Sequence, residues 1–359
     1  IYVGDNINNA YIEEVKKVSV FPKINKLGKV VFTPLHGTGA YIGERLLKEL
    51  GYDYYCVTEQ MIPDPDFKTV PSPNPEDHRA FDLAIKLAKE KGADLVLATD
   101  PDADRLGTAI LHQNQYHFLT GNQLGALMIY YLSSHRFFKG TVFDTIVTSP
   151  LGAKIAKSKG LESFSTLTGF KYIGQQIKLS EKTITLFFFG YEESSGFLIK
   201  DFVRDKDSFQ PLVLISEIVS YYKQHGKTLI DVLDDIYKKY GYYEDEVINI
   251  KYEGEDGVTK IEQILNFFRN EEIENGEAVI VEDYLQSRRY GALPLTISLP
   301  KENVLKFYFE DDSWFALRPS GTEPKIKIYF STNADTKENA VKRMTELKEK
   351  VLKKLEGVN

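Results

Sequence analysis

Apolar residues fall in short blocks along this chain, and the blocks alternate in kind. Residues 29–33, Lys-Val-Val-Phe-Thr, form a compact strand run ended by Pro34, and residues 40–50 repeat their apolar positions at helical spacing until Gly51 closes them. Residues 54–57 read as the next strand. Residues 63–75 carry too many fixed φ angles for regular structure and are predicted as an ordered functional loop. A predicted helix over 76–91 then leads through Gly92 into a strand at 94–98. The alternation resumes at Gly140, with a strand over 142–147, a helix over 151–159 closed by Gly160, a buried strand at 186–189 and a long helix over 209–224. Strands this apolar, separated by helices, predict mostly parallel sheets covered on both faces.

Beyond residue 245 the pattern changes. Charged helical segments at 259–270 and 336–355 bracket short strands at 304–310, 314–317 and 326–331, which predicts a smaller α+β domain with hairpins and helices on one face. Domains are therefore expected at 26–138, 139–245 and 246–359. Residues 1–25 hold a polar segment and then a short amphipathic helix near Tyr11. They precede the first strand, and the chain starts with Ile1, so they are expected to be the tail of a further domain.

Composition narrows the classes. A hydrophobic share of 42% in 359 residues supports real cores. The 45 basic and 52 acidic residues leave a net charge of −7, which argues against non-specific nucleic-acid binding. The single cysteine, Cys56, excludes an intrachain disulfide framework and makes a reducing cytoplasm the expected compartment. No apolar run of about 18 residues occurs, so no membrane partner is expected.

The most informative chemistry follows the strand at 94–98. Asp100, Asp102 and Asp104 alternate in a tight loop with Pro101 and Ala103, and three carboxylates so placed can converge on one hard cation such as Mg²⁺. The end of a strand is where open α/β sheets place ligands. Arg105 can hold a carboxylate or a phosphate. An EF-hand reading fails, because Arg105 and Leu111 stand where that loop needs Gly and Glu. Near the C-terminus, residues 318–325 (Arg-Pro-Ser-Gly-Thr-Glu-Pro-Lys) combine a guanidinium, two hydroxyls, backbone N–H groups freed by Gly321 and a lysine, the parts of a phosphate cradle. Two further segments, 168–172 and 190–196, are expected in loops. In the second, Glu192 and Ser194 suit sugar hydroxyls. Arg204 can serve a phosphate or pair with a flanking aspartate. The turn Pro34-Leu-His-Gly-Thr-Gly39 can present free N–H groups to an anion, with His36 read as a structural histidine.

Together the segments PLHGTG, DPDADR, TGFKYIG, GYEESSGF, RDKD and RPSGTEPK resemble the α-D-phosphohexomutases, most closely their phosphoglucomutase/phosphomannomutase branch with its phosphopentomutase-like members. The resemblance covers essentially the whole chain. It implies two consecutive mixed-sheet α/β domains of this type followed by a smaller α+β C-terminal domain. It further implies Asp100, Asp102 and Asp104 as Mg²⁺ ligands, Glu192 and Ser194 as sugar readers, and Lys206, Arg105 and Lys171 near the substrate. Arg318, Ser320, Gly321, Thr322 and Lys325 would form the phosphate loop. The family's first domain carries a catalytic serine in a T/S-A-S-H-N-P-like segment that this sequence lacks, and Ser72 in Pro-Ser-Pro-Asn-Pro does not have the required order.

The implied reaction is phosphotransfer between glucose 1-phosphate and glucose 6-phosphate, or mannose phosphates. It runs through phosphoserine and a bisphosphate, with a glucose-1,6-bisphosphate-type activator. The expected partners are phosphosugars and the chain's own missing N-terminal domain, without which this chain is expected to be inactive. A non-catalytic phosphosugar-binding module and a phosphopentomutase are the alternatives.

Overall fold

Two sheets of one plan build residues 1–236, the first of the two units into which the chain divides; residues 237–359 form the second. The computed structural model describes residues 4–183, 185–252, 256–273, 276–321 and 323–358. The first unit opens with α1 (Gly4–Lys16), whose buried Ile12 and Val15 pack toward α2 (Ala40–Glu49) and α7 (Phe209–Gln224). The first sheet holds β1 (Val30–Thr33), β2 (Tyr54–Cys56), β3 (Leu95–Thr99), β4 (Leu106–His112) and β5 (Gln115–Leu119), in the order β2-β1-β3-β4-β5. Its first three strands are parallel, and β4 and β5 run antiparallel. Helix α3 (Asp82–Lys91) precedes β3 and ends at Gly92, whose left-handed φ of 63° a side chain would resist.

The second sheet repeats this scheme. After α4 (Gly121–His135) come β6 (Thr141–Thr145), α5 (Pro150–Ser158), β7 (Glu162–Thr166), α6 (Phe170–Ser180), β8 (Phe187–Glu192) and β9 (Gly196–Leu198), ordered β7-β6-β8-β9. Strands β7, β6 and β8 are parallel, and β9 is antiparallel to β8. Helix α7 packs on strands of both sheets, and its twelve residues from 209 to 220 are all buried. Its polar members are matched. Gln210 accepts from the N–H groups of Ile199 and Lys200, and Glu217 accepts from Ser19, from the Val20 N–H at 2.9 Å and from the Tyr131 hydroxyl at 2.9 Å.

Helix α8 (Leu229–Tyr240) leads to the second unit. There β10 (Tyr242–Lys251), α9 (Asp256–Phe267), β11 (Ile280–Asp283), β12 (Arg288–Gly291), β13 (Leu295–Thr296), β14 (Leu305–Tyr308), β15 (Trp314–Pro319), β16 (Lys325–Ala334) and α10 (Lys337–Gly357) follow in turn. Its sheet, ordered β10-β16-β15-β14-β11-β12-β13, is antiparallel at every pair. Phe268, Phe307, Phe315 and Phe330 fill its core with residues of α9 and α10.

This architecture is the expected pair of mixed α/β sheets with a C-terminal antiparallel domain, and several local expectations change. The sheets are less parallel than the apolar runs suggest, because β4, β5 and β9 turn back. Residues 78–81 form a 3₁₀ turn capped by Asp77, so helix α3 starts at Asp82. Phe170, Lys171 and Tyr172 open α6 and are not loop. Strand β8 runs on through Gly190, Tyr191 and Glu192 because the Tyr191 ring has a slot: a β-carbon on Gly125 would lie 2.4 Å from it, and one on Gly152 would lie 2.1 Å from its hydroxyl. Helix α4 is buried along ten of its fifteen residues, which blurs its helical period, yet Thr120 and Gln123 form a capping box at its start. Among the described residues, no helix is long and apolar enough to cross a membrane.

Candidate active site at two equivalent strand ends

In each sheet of the first unit, the last parallel strand hands over to its antiparallel neighbour through a short loop. Residues 100–105 do this between β3 and β4, and residues 193–195 do it between β8 and β9. The two loops touch. Arg105 bridges Gly196, and the Leu106 N–H donates to the Ser195 carbonyl at 3.0 Å.

The acidic loop is shaped by its own first carboxylate. Asp100 Oδ1 accepts from the N–H groups of Asp104 and Arg105, both at 2.9 Å, and Ala103 adopts a left-handed φ of 58°. Two outside elements grip its carbonyls. Thr38 donates its N–H to Pro101 O at 2.7 Å, and Ser208 donates its hydroxyl to Ala103 O at 2.6 Å. A β-carbon on Gly37 would lie 2.3 Å from the Pro101 backbone, so only glycine permits this approach. The N–H groups of His36, Gly37 and Thr38 are spent on Gln60, Pro34 and Pro101, which removes them as the anion donors expected of that turn. His36 is structural. Its Nδ1 meets the Ile62 carbonyl at 2.9 Å and its Nε2 the Thr69 hydroxyl at 2.7 Å, which ties down the proline-rich segment.

Asp100, Asp102 and Asp104 each offer an oxygen within 4.8 Å of the others. Asp100 is only 8% exposed. Burial first, and then the neighbouring Asp104 and Asp102 carboxylates, push its pKa up to about 7. Lys206 pairs with Asp104 at 2.7 Å, and Arg105 lies 3.8–3.9 Å from Asp104, Asp100 and Glu76. An all-oxygen set of three convergent carboxylates is the donor chemistry that Mg²⁺ takes.

Across the contact, buried Glu192 accepts the Gly169 N–H at 2.8 Å. Its carboxyl is raised by burial, against the pull of Lys206 and Arg105. Gly196 leaves room for this grouping, since a β-carbon there would come 2.8 Å from the Lys206 stem. The structure thus brings Asp100, Asp102, Asp104, Arg105, Glu192 and Lys206 together. Ser194 sits in the 193–195 turn. Lys171 is exposed in the first turn of α6, its ammonium over the Tyr172 ring at 4.9 Å. Arg204 pairs with Glu181 and not with its flanking aspartates. Thr38, Ser208 and Glu76 were missed as loop supports; the first two lie inside or beside quoted motifs, but nothing in their spacing shows that they reach residues 101 and 103.

The second unit carries its candidate loop between β15 and β16. Arg318 Nε donates to Glu302 at 3.0 Å, and Lys325 lies 3.6 Å from Glu323. The Ser320 N–H donates to Lys325 O at 2.7 Å, so it is committed inside the hairpin and not freed by Gly321. Gly321 is exposed with open space where a β-carbon would go. Thr322 lies outside the described residues.

Three family models match this chain in series: phosphoglucomutase/phosphomannomutase alpha/beta/alpha domain II at residues 9–113, domain III at 120–240 and the C-terminal domain at 247–348. The chain belongs to the phosphoglucomutase/phosphomannomutase family. A phosphoglucomutase of Staphylococcus aureus (strain MRSA252) is 41% identical over 337 residues, covering 91% of this chain and 60% of that protein. The chain therefore spans about 60% of the length of the curated relatives it matches. Among solved structures, the open form of parafusin, a phosphoglucomutase from Paramecium, superposes with a TM-score of 0.70 at 20% identity, over 96% of this chain and 61% of that one. N-acetylphosphoglucosamine mutase of Aspergillus fumigatus, solved with GlcNAc-6P and magnesium, gives a TM-score of 0.53 at 15% identity, over 94% of this chain and 69% of its own.

Proposed function

We propose that this chain supplies the metal-binding, sugar-reading and phosphate-holding parts of a phosphohexomutase that interconverts glucose 1-phosphate and glucose 6-phosphate. The observation that carries the reading is the convergence of Asp100, Asp102 and Asp104 at the end of β3, with Lys206 and Glu192 brought beside them. The naming of the Staphylococcus relatives as phosphoglucomutases supports the reaction, and the magnesium held by the Aspergillus mutase supports the cation. The three aspartates would hold Mg²⁺, which neutralises charge on a transferring phosphoryl group. Glu192 accepts hydrogen bonds from sugar hydroxyls, with Ser194 as its partner in the turn. Lys206 and Arg105 balance the carboxylates and approach the phosphate, with Lys171 close by. In the second unit, Arg318, Ser320, Gly321, Thr322 and Lys325 would cradle a phosphate. The nucleophilic serine is proposed to come from a domain outside this chain, and glucose 1,6-bisphosphate is the proposed activator.

Calorimetry tests this directly. The chain should bind Mg²⁺, and glucose 1-phosphate should bind more tightly once Mg²⁺ is present. Incubated with glucose 1-phosphate and glucose 1,6-bisphosphate, it should produce no glucose 6-phosphate. Absence of Mg²⁺ binding would overturn the site, and enzyme-like turnover would overturn the assignment of the nucleophile.

A further inference from the structure

On the first unit, where α4 ends beside the segment that follows α1, an open groove of about 530 Å³ has a cationic wall. Arg136, the residue after α4, is half-buried, and its one side-chain bond runs from Nη2 to the Val18 carbonyl at 3.4 Å. A guanidinium has five N–H donors, and among the described residues no carboxylate forms an ion pair with this one. Burial draws its pKa down to about 10, opposed only by the attraction of buried Glu217. Lys200 faces the same groove and is lowered by burial and by its cationic neighbours Arg136 and Lys17. Of the acids nearby, Glu14 is taken by Lys17 at 2.5 Å, and Asp201 lines the groove and attracts Lys200. The rest of the lining is mixed: Phe137, fully exposed, Phe138, partly so, and half-buried Phe187 supply apolar surface, beside Ser19 and His135.

Arg136 and Lys200 crowd one wall, with Lys17 beside them already paired to Glu14, and a half-buried guanidinium with a single long side-chain bond and no ion pair gains from an arriving anion. The groove's size is that of a small-molecule pocket, roughly 300–1,000 Å³. We propose that it binds a small organic phosphate, the anionic head on Arg136 with Lys200 and Lys17 around it, and the apolar body against Phe137, Phe138 and Phe187. A doubly charged phosphate meets Arg136 and Lys200 together better than a carboxylate does, and the planar guanidinium fork receives it bidentately. The site shares no residue with the acidic loop or the 318–325 loop, so it stands apart from the mutase reading.

The probe is phenyl phosphate, titrated without Mg²⁺ into the full 359-residue chain carrying Arg318→Ala, which weakens the proposed phosphate binding at the C-terminal loop. Amide resonances of residues 136–139 and 199–201 should shift saturably, while phenol and inorganic phosphate should each bind about tenfold more weakly or worse. Arg136→Ala should weaken binding about tenfold or more, with an unchanged melting curve showing that the fold persists. Should that variant fail to fold, Lys200→Glu keeps Arg136 and should also lose about tenfold. No saturable shift, or equal affinity in a folded Arg136→Ala chain, overturns the proposal. So does binding only to vesicles of phosphatidylserine and phosphatidylcholine, which would make the groove a membrane contact.

Discussion

The loops at 100–105 and 193–195 occupy the same point of the same sheet plan, yet they handle acidic groups in opposite ways. The first gathers three carboxylates within reach of one another and leaves their repulsion standing, relieved only partly by Lys206 and Arg105. The second turns one glutamate inward. Glu193 accepts from the Thr145 hydroxyl at 3.0 Å beneath the turn, while Glu192 is anchored by the Gly169 N–H. Topology chose the place, and side-chain direction chose the chemistry. On the proposed reading, a loop whose like charges are only partly relieved takes a cation, whereas a loop whose two glutamates are held by protein donors keeps a shape for a neutral, hydroxyl-rich ligand.

The sharpest way to break this contrast is Asp100→Ala. That carboxylate is at once a candidate metal ligand and the strut that receives two backbone N–H groups. Mg²⁺ affinity should fall beyond the ~10–100-fold that losing an outer-shell partner costs, as read by calorimetry. Mg²⁺ binding that survives intact would show that the aspartates are a solvated acidic turn.

Next in size come two glycine substitutions that touch no candidate ligand. Gly37→Ala would drive a β-carbon to 2.3 Å from the Pro101 backbone, and Gly121→Ala would put one 2.3 Å from the Glu193 carbonyl. Each should cost about 1–3 kcal/mol in chemical denaturation. Gly37→Ala should weaken Mg²⁺ binding and spare the 193–195 turn; Gly121→Ala should weaken glucose 1-phosphate binding and spare Mg²⁺. Equal effects on both ligands from either variant would mean that the two loops move as one.

What the sequence made legible follows the same division. Strands β1, β3 and β6 and helix α7 show as apolar runs because both faces are covered, and the aspartate loop shows because its residues are contiguous. What stayed hidden is contact across the chain. Thr38 reaches Pro101, Ser208 reaches Ala103, and Tyr11 donates to Asp207 at 2.8 Å, pairs separated by 63, 105 and 196 positions. Local periodicity carries no information at such separations. Helix α4 was lost for another reason: burial on nearly every side erases the polar face that marks a helix.

A smaller effect is expected in the second unit. Arg318→Ala removes the one guanidinium of the 318–325 loop, already tied to Glu302. Phosphate binding there should weaken about tenfold with Mg²⁺ binding unchanged, because Ser320 and Lys325 have backbone N–H groups committed within the hairpin and cannot replace it. Unaltered glucose 1-phosphate affinity would leave this loop as an ordinary charged hairpin turn.

The subtlest test concerns the inward glutamate. Burial, and then the neighbouring Glu192 carboxylate, push Glu193 from 4.5 up to about 7. Between those two values the folded state binds a proton that the unfolded chain has released. The contribution is therefore full below pH 4.5 and is lost as pH rises through about 7. Asp100, Glu192 and Asp207 are raised by burial as well and act in the same direction, so Glu193→Gln should remove only part of the slope. Glutamine keeps an oxygen for the Thr145 hydroxyl and cannot ionise. Urea unfolding at pH 5 and pH 7.5 should show the parent chain losing more stability between the two than the variant, by something on the order of 1 kcal/mol. The same variant holds the turn in its protonated-like form at every pH, so its glucose 1-phosphate affinity should change less with pH than the parent's. Identical slopes in both measurements would mean that Glu193 faces water, and the distinction between a charge-relieving turn and a cation-seeking loop would then rest on Glu192 alone.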